Sequence, residues 1–232
     1  MVAVPTARER ARGELTRAIK EEARRQIAAE GAQRLSLRAV ARELGVVSSA
    51  LYRYFASRDE LVTALIIDAY GALADRLEKA SADAGHGRAD ARGRWRALCG
   101  GVRDWAREHP HEYALIYGTP IPGYQAPRTT VSPAARVVEA LAGVVGEVRT
   151  TDGGEPCRAL PGRVGEQMAG MAALVAPGVL GFAMSRALIA WTQLFGMVNF
   201  ELFGHLVGSV DPADDFFAHA VEEMADYLGL AA

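Results

Sequence analysis

Apolar residues recur at intervals of three and four along most of this chain, and no stretch of several residues alternates apolar with polar positions. Spacing of this kind predicts amphipathic helices, whereas half-buried strands would show the alternation. The first apolar stripe consists of Leu15, Ala18, Ile19, Ala23 and Ile27. Gly31 predicts the end of this helix, because glycine readily adopts the left-handed conformation that follows many last turns. The predicted fold class is therefore all-α.

Two short helices are predicted to follow the first. Ser36 is placed to cap the second helix, and Gly45 to end it. The inner face of this helix has the i, i+3, i+4, i+7 spacing and consists of Leu37, Val40, Ala41 and Leu44. The third helix is predicted from about Ser48 to Phe55, with Leu51 and Phe55 turned inward.

A long fourth helix is predicted to begin after Ser57. Ser57 and Glu60 have the S-x-x-E spacing of a capping box, in which each side chain accepts a hydrogen bond from the other residue's backbone N–H. The helix is predicted to fade into a small-residue linker over 81–90. We place the functional domain boundary near residue 60, which predicts a helix-turn-helix domain over 1–60 and a ligand-binding and dimerisation domain over 61–232.

The rest of the chain is also predicted to be helical. The predicted helices cover about 95–105, 112–117, 132–148, 163–175, 179–207 and 212–228, with Gly/Pro-containing loops at 117–127 and 150–162. Ser132 followed by Pro133, and Asp211 followed by Pro212, are the start signals for two of these helices. The uncharged run 187–200 is shorter than the roughly 20 residues of a membrane span, so it predicts a buried or subunit-facing helix.

Composition and charge narrow the class of protein. The chain has 232 residues, half of them hydrophobic, and a formal net charge of −2, all typical of a soluble globular protein. The charged start of the chain predicts no secretory leader, and the two cysteines, Cys99 and Cys157, are expected to be free thiols in the cytoplasm. Residues 1–60 hold twelve Lys or Arg and eight Asp or Glu, whereas 61–232 hold fourteen and twenty. A basic first segment is what binding to DNA phosphates requires, although a solvated charged helix face is the simpler alternative.

The turn at Gly45 predicts a helix-turn-helix, a motif whose second helix enters the major groove of DNA. If Leu51 and Phe55 face the core, the opposite face of the third helix carries Ser48, Ser49, Tyr52 and Arg53. Serine hydroxyls can bond base edges, and tyrosine and arginine can reach phosphate oxygens. Arg38 and Arg42 extend this basic rim on the preceding helix.

The stretches 36–41, 44–46, 51–55 and 57–61 together resemble the DNA-binding head of the TetR family of one-component bacterial transcriptional regulators. The resemblance covers roughly 15–65 and combines a cap, a turn glycine, an aromatic pair and a capping box in one register. It implies an all-α homodimer whose N-terminal heads bind a palindromic operator in double-stranded DNA. It also implies a C-terminal body that holds a small-molecule effector.

The resemblance assigns roles to individual head residues. Arg38 matches a position that often faces bases or backbone, Ser48 and Ser49 match the variable start of the recognition helix, and Tyr52 matches a tyrosine that usually bonds phosphate. Tyr54 stands where histidine is common and Arg58 where a phosphate-binding lysine is common. The predicted DNA-binding set is Ser36, Arg38, Ser48, Ser49, Tyr52, Arg53, Tyr54 and Arg58.

One position departs from the family pattern, because Val47 stands where a capping serine is usual. Ser48 is then an alternative cap, which would shift the start of the recognition helix by one residue. The second half of the chain, at 109–113, 117–124 and around Trp191, resembles a TetR subgroup named for a Trp-His-Gly signature. Phe195 replaces the histidine of that signature, so the signature is incomplete.

The C-terminal segment is predicted to hold the effector in an apolar pocket, because small-molecule sites are mostly apolar. The candidate residues are Trp95, Cys99, Tyr117, Met168, Met171, Trp191 and Phe195. Core packing is the alternative for each of them, since aromatic residues and methionine at helical spacing are typical of protein cores.

The last two helices are predicted to form the homodimer interface, which would use the same apolar patch twice. The candidate residues are Leu194, Gly196, Val198, Leu202, Gly204, Leu206, Gly208, Phe216, Phe217 and Tyr227.

Catalysis finds little support, because the chain lacks the H-E-x-x-H, C-x-x-C, G-x-S-x-G and G-x-x-x-x-G-K patterns. The sequence also predicts no metal site, and it indicates no cofactor. The leading hypothesis is a ligand-responsive DNA-binding regulator, most simply a repressor released by a small apolar effector. The alternative is an α-helical small-molecule-binding protein or enzyme whose head does not act as a sequence-specific regulator.

Overall fold

The computed structural model describes residues 6–86, 90–145 and 160–230, and these contain ten α-helices and no strand. The prediction of an all-α fold is therefore confirmed. The helices are α1 (Ala7–Glu30), α2 (Leu37–Glu43), α3 (Ser48–Leu51), α4 (Arg58–His86), α5 (Ala91–Glu108), α6 (Pro110–Tyr117), α7 (Val131–Val145), α8 (Gly162–Val175), α9 (Gly181–Leu202) and α10 (Ala213–Leu228). The predicted loop at 150–162, the predicted helix end at Val148 and Cys157 lie wholly or mostly outside the described residues.

The chain forms two compact units. The first comprises Met1–Ala69 and His111–Thr130, and the second comprises Tyr70–Pro110 and Val131–Ala232. The first unit thus extends beyond the functional boundary at residue 60 and includes most of α6 and the loop after it. The division of function between 1–60 and 61–232 remains a prediction.

The core of the first unit contains the predicted inner faces. On α1, Ile19, Ala23 and Ile27 are buried, and on α2, Val40 and Ala41 are buried. Leu37, Leu51, Phe55, Leu61 and Leu65 also belong to this core. Burial of these side chains, at about 1.5–3 kcal/mol each, is the main stabilisation of a head too short to be held by helix propensity alone.

The predicted caps of α2 and α4 differ in detail. The Ser36 Oγ accepts a hydrogen bond from the Ala39 N–H at 3.4 Å, as expected for an N-cap. The Ser57 Oγ likewise accepts from the Glu60 N–H at 3.1 Å. The Glu60 carboxylate, however, accepts from the Ala56 N–H at 2.6 Å and leaves the Ser57 N–H, so the reciprocal half of the predicted box is wrong by one residue.

Several predicted helix boundaries also move. Regular helix α3 ends at Leu51, and hydrogen-bonded turns continue to Phe55, whose N–H bonds the Leu51 carbonyl at 3.0 Å. Helix α4 continues to His86, so most of the predicted linker at 81–90 is helical. Small residues such as Ala and Ser do not stop a helix by themselves, which is why composition misled the prediction there.

In the second unit, three further boundaries differ from the prediction. Helix α7 begins at Val131, directly after the 3-10 turn Arg128–Thr130, and not with Ser132 as its cap. Helix α9 ends at Leu202 rather than near 207. Helix α10 begins at Ala213 with Pro212 as its N-cap residue, so the predicted start with Asp211 as the cap is wrong by one residue. The core of this unit includes Trp95, Leu98, Val102, Trp105, Leu194, Val198, Phe217, Met224 and Leu228.

Candidate functional site

The turn between α2 and α3 is set by Gly45. Its φ is +66°, a left-handed value at which a side chain would be strained. The Gly45 N–H bonds the Arg42 carbonyl at 3.1 Å, and the Val46 N–H bonds the Ala41 carbonyl at 3.0 Å. These two bonds satisfy the last carbonyls of α2 and turn the chain sharply into α3, as a helix-turn-helix requires.

Helix α3 begins at Ser48, with Val47 as its N-cap residue. Val47 is 70% exposed and contributes no side-chain capping bond. The alternative in which Ser48 is the cap is therefore wrong, because Ser48 is the first residue of the helix itself. Ser48 is half-buried and Ser49 is exposed, so the two predicted base-reading hydroxyls lie at the very start of the helix.

Some of the other predicted DNA-binding side chains are exposed to solvent, and others already contact residues of the chain. Tyr52 is 46% exposed, and Arg53 and Arg38 are also exposed. Tyr54 is half-buried, and the guanidinium of Arg12 on α1 lies 5.2 Å from the centre of its ring. Ser36 is used as the cap of α2. The surface open to a ligand is therefore formed by Arg38, Ser48, Ser49, Tyr52 and Arg53, and we call it the α3 face.

Arg58 has an internal role that the sequence did not indicate. Its Nη2 donates to the Ala32 carbonyl at 2.7 Å and lies 3.4 Å from the Gln33 carbonyl, and its Nη1 lies 3.2 Å from the Asp59 carboxylate. The Arg58 Nε is buried, with no partner among the described residues. The side chain thus ties the start of α4 to the turn after α1, and its predicted phosphate contact remains a prediction.

An ion-pair network stabilises the first unit beside the head. On α1, the Lys20 Nζ and the Arg24 Nη2 each lie 2.8 Å from the Asp68 carboxylate of α4. The Arg24 Nε also lies 2.7 Å from the Glu112 carboxylate of α6. Arg24 thereby links α1 to both α4 and α6. Sequence reasoning missed this network, because residues 44 and 88 positions apart share no local pattern.

The second unit contains an apolar cavity of about 230 Å³. Three of the predicted ligand-binding residues, Trp95, Met171 and Trp191, line this cavity. The remaining lining residues were not predicted, and they are Val138, Leu141, Ala142, Val175, Met184, Ala187 and Leu188. Aliphatic residues of this kind give no signal in the sequence that separates a cavity wall from an ordinary core.

The cavity is poor in polar atoms. Its lining residues carry no charged side chain, and their only nitrogen atoms in side chains are the indole nitrogens of Trp95 and Trp191. The Trp95 Nε1 already donates to the Val221 carbonyl at 3.0 Å, which fixes the orientation of that ring. Removing a charge from water without a partner costs several kcal/mol, so this wall favours an uncharged ligand.

The other four candidates do not line the cavity. Cys99 is fully buried, and burial raises the pKa of its thiol well above the ordinary value. Met168 packs in a buried cluster with Ala142, Ala172, Ala176 and Met184. Phe195 is buried and stacks on Trp191 at 4.8 Å between ring centres, so it supports a lining residue. Tyr117 belongs to the first unit, where it pairs with Tyr113.

The predicted dimer surface is only partly available on α9 and α10. Leu194, Val198 and Phe217 are buried within the chain, so their assignment to an interface is wrong. Gly204 and Gly208 lie in turns after α9 with a φ of +78°, not on a helix face. The exposed large apolar residues of this region are Leu188, Ile189, Phe200, Phe203, Val207, Phe216 and Tyr227. On Gly196, an added Cβ would meet no atom within 4 Å.

Two kinds of feature are absent from the described part of the chain. None of the helices there combines the length and the apolar character that a membrane span needs. Within the same described ranges, no three His, Cys, Asp or Glu side chains are grouped as metal ligands.

Two family models match the chain, one ending within α4 and the other beginning within α5. Residues 19–65 match the model described as bacterial regulatory proteins, tetR family, and residues 95–224 match the model of the tetracyclin repressor-like C-terminal domain. The chain belongs to the TetR family. Neither description mentions a Trp-His-Gly signature, so the subgroup of this TetR protein remains a prediction.

Relatives support the same assignment. The HTH-type transcriptional regulator Rv1816 of Mycobacterium tuberculosis is 46% identical over 153 residues, which are 61% of this chain and 63% of that protein. The chain thus matches somewhat less than two thirds of the relative's length. The crystal structure of the regulatory protein SCO4313 covers 95% of this chain and 100% of its own, with 34% identity and a TM-score of 0.79. A TetR family regulator, PfmR from Thermus thermophilus, is 18% identical over 89% of this chain and 96% of its own, with a TM-score of 0.55, and shows the fold alone.

Proposed function

We propose that this TetR protein is a ligand-responsive transcriptional regulator that acts in the cytoplasm on a palindromic operator in double-stranded DNA. The observation that carries the proposal is the α3 face, where two serines at the start of a helix stand beside an exposed tyrosine and arginine. Hydroxyls at a helix start suit base edges in the major groove, and the flanking Tyr52, Arg53 and Arg38 suit phosphates.

The homodimer is proposed to form through the exposed residues of α9 and α10. Ile189, Gly196, Phe200 and Phe203 follow one another at intervals of seven, four and three on α9 and the turn after it, which places them on one side. Burying such a patch twice in a two-fold interface would remove it from water. The two heads would then bind half-sites about 34–36 Å apart, a distance that corresponds to one helical turn of DNA.

The cavity of the second unit is proposed to bind the effector. Its volume of about 230 Å³ exceeds the roughly 150 Å³ of a cavity that holds benzene, so an uncharged molecule of about two fused rings is a reasonable probe. Release from DNA requires that the effector bind the DNA-incompetent conformation more tightly, since a ligand with equal affinity for both conformations shifts nothing. Repression with release by the effector is the simplest form of this regulation.

The DNA part is tested by footprinting on the intergenic DNA upstream of the protein's own gene. We expect a protected palindrome, and we expect Ser49→Ala and Tyr52→Ala to weaken binding without changing the circular dichroism spectrum. Arg163→Ala is the matched control, because Arg163 is exposed on α8 in the second unit. Absence of protection anywhere would contradict the proposal and favour a ligand-binding protein or enzyme.

The effector part is tested with naphthalene and its charged analogue 2-naphthoate, followed by tryptophan fluorescence. We expect saturable quenching by naphthalene only, and loss of quenching in Ala187→Phe, which fills the cavity. Leu174→Phe adds a ring on α8 at a side chain that is 85% exposed, so it should leave quenching unchanged. Met171→Ala also changes the cavity wall but enlarges the cavity, so it should retain binding. Loss of quenching in Ala187→Phe alone would then be due to filling of the cavity and not to any change in its wall.

The interface is tested by sedimentation. Phe200→Glu should give monomers, because a charge would be buried at the proposed contact. Leu174→Glu, a substitution of an exposed apolar residue on α8, should remain dimeric.

A further inference from the structure

The N-terminal part of α1 extends beyond the core of the first unit. Residues 6–14 are all exposed, and the first buried side chain of the helix is Ile19. An isolated stretch of this length is marginal as a helix in water. Its end is nevertheless well defined, because the Thr6 Oγ accepts from the Glu9 N–H at 3.2 Å and the Glu9 carboxylate accepts from the Thr6 N–H at 2.7 Å. This capping box satisfies two backbone N–H groups and so stabilises the first turn of the exposed segment.

In this segment, arginine occupies the helix face that is buried in the later part of α1. The stripe of Ile27, Ala23, Ile19 and Leu15 recurs every four residues, and stepping back by three and then four residues gives Arg12 and Arg8. These positions lie on the same face of a helix. Arginine thus replaces the apolar residues of the stripe just where the helix leaves the core.

Arg12 locates this face relative to the α3 face. Its guanidinium lies 5.2 Å from the ring centre of Tyr54, only two residues after Tyr52. Arg8 is one helical turn further toward the N-terminus, about 6 Å along the axis at 1.5 Å per residue. The basic stripe of Arg12 and Arg8 therefore begins beside Tyr54, in the turn that follows α3, and continues away from α3 toward the N-terminus of α1.

The arginines of this segment are not neutralised within the chain. No carboxylate lies within 4 Å of the guanidinium groups of Arg8, Arg10, Arg12 or Arg17 among the residues that the structure describes. Glu9 is held in the cap, and Glu14 is the other acidic residue between 6 and 18. Such a stripe is an electrostatic footprint for phosphates.

We infer that Arg8 and Arg12 bind the DNA backbone outside the base pairs that the α3 face addresses, so that α1 forms a second DNA contact. This inference rests on the proposed function, because it needs the α3 face to be on DNA. Arginine fits the role, since its guanidinium forms two parallel hydrogen bonds with a phosphate. Contacts of this kind position the protein and carry no base information.

The test measures the affinity of Arg8→Ala for the operator and for a random duplex over a series of salt concentrations. Because both subunits of the dimer carry the substitution, two phosphate contacts are lost, which should weaken both complexes by a similar factor and lower the slope of log K against log salt by about 2. Ethylation interference should lose signal at phosphates flanking the half-site. Arg8→Lys keeps the charge and should keep most of the slope.

Two controls change the same charge elsewhere. Arg25→Ala alters α1 at an exposed side chain that pairs with Glu22, and Arg163→Ala alters the second unit. The inference is overturned if Arg8→Ala has the slope of these controls, or if it weakens the operator complex alone, which would indicate base reading. If the unmodified protein protects no site, the proposed function fails, whereas a protected site with an unchanged Arg8→Ala slope rejects only the α1 contact.

Discussion

Arg103 on α5 is a charged residue whose removal should strongly destabilise the second unit. Its side chain is only 8% exposed, and its Nε and Nη2 each lie 2.8 Å from one oxygen of the Glu201 carboxylate. The Nη2 also lies 2.7 Å from the Asp214 carboxylate, and the guanidinium lies 4.5 Å from the centre of the Phe217 ring. One side chain therefore holds α9 and α10 against α5.

The expected cost of Arg103→Met follows from what is left behind. Methionine keeps most of the apolar volume but leaves Glu201, which is 18% exposed, without its partner. Breaking a buried ion pair from one side costs about 3–5 kcal/mol, and the residual exposure of Glu201 places the loss near 3 kcal/mol. The double variant Arg103→Met with Glu201→Gln removes the unpaired charge and should recover part of this loss.

The assay is denaturant unfolding followed by circular dichroism, at a fixed protein concentration because a dimer's stability depends on it. Arg107→Met is the matched control, since Arg107 is 55% exposed and its partner Asp214, at 3.3 Å, is 70% exposed. It should lose far less stability than Arg103→Met. Equal losses in the two variants, or a double variant no more stable than Arg103→Met alone, would refute the reasoning.

Three further predictions concern stability and reactivity. Gly45→Ala should cost about 1–2 kcal/mol because of its left-handed backbone, whereas Gly13→Ala within α1 should gain about 0.5–1 kcal/mol; neither added Cβ meets an atom within 4 Å, so unfolding curves compare backbone effects alone. The Arg96 guanidinium holds the pKa of the Glu222 carboxyl below its ordinary value, so its contribution to stability is present above the unfolded pKa near 4.5 and is lost as the pH falls through the lower folded pKa. Unfolding curves at neutral and acidic pH should therefore differ less in Arg96→Ala than in the unmodified protein. Because burial raises the pKa of the Cys99 thiol, mass spectrometry should find its peptide unlabelled by iodoacetamide in the native protein and labelled after unfolding.

The head was predictable because its signals are local. Ser36, Gly45 and Ser57 lie within four residues of the backbone groups that they cap or turn, so the sequence alone specifies α2 and the starts of α3 and α4. The error at Ser48 has the same origin. A serine beside Val47 looks like a cap in the sequence. The turn at Gly45, however, fixes the start of the helix at Ser48, and Val47 is tolerated as an N-cap residue although it has no side-chain acceptor.

The second unit was less predictable because its decisive contacts are distant in the sequence. Periodicity identifies Leu194 and Val198 as one apolar stripe of α9, yet it gives no sign that this stripe packs inside the chain while Phe200 faces outward. The same limit applies to the cavity. Met168 and Met171 lie on one helix three residues apart, and only packing decides that Met171 lines the cavity while Met168 fills the core.

The two parts of the chain carry net charges of opposite sign. The excess of four positive charges in residues 1–60 includes the exposed arginines of α1, which continue past the α3 face, whereas residues 61–232 have an excess of six negative charges. Phosphates attract basic surface and repel acidic surface, so these charges favour encounters in which residues 1–60 contact the DNA. If the α1 contact exists, it adds affinity on every sequence, and selectivity for an operator must then come from the few side chains of the α3 face. Substitutions on α1 and on the α3 face should consequently separate total affinity from sequence preference.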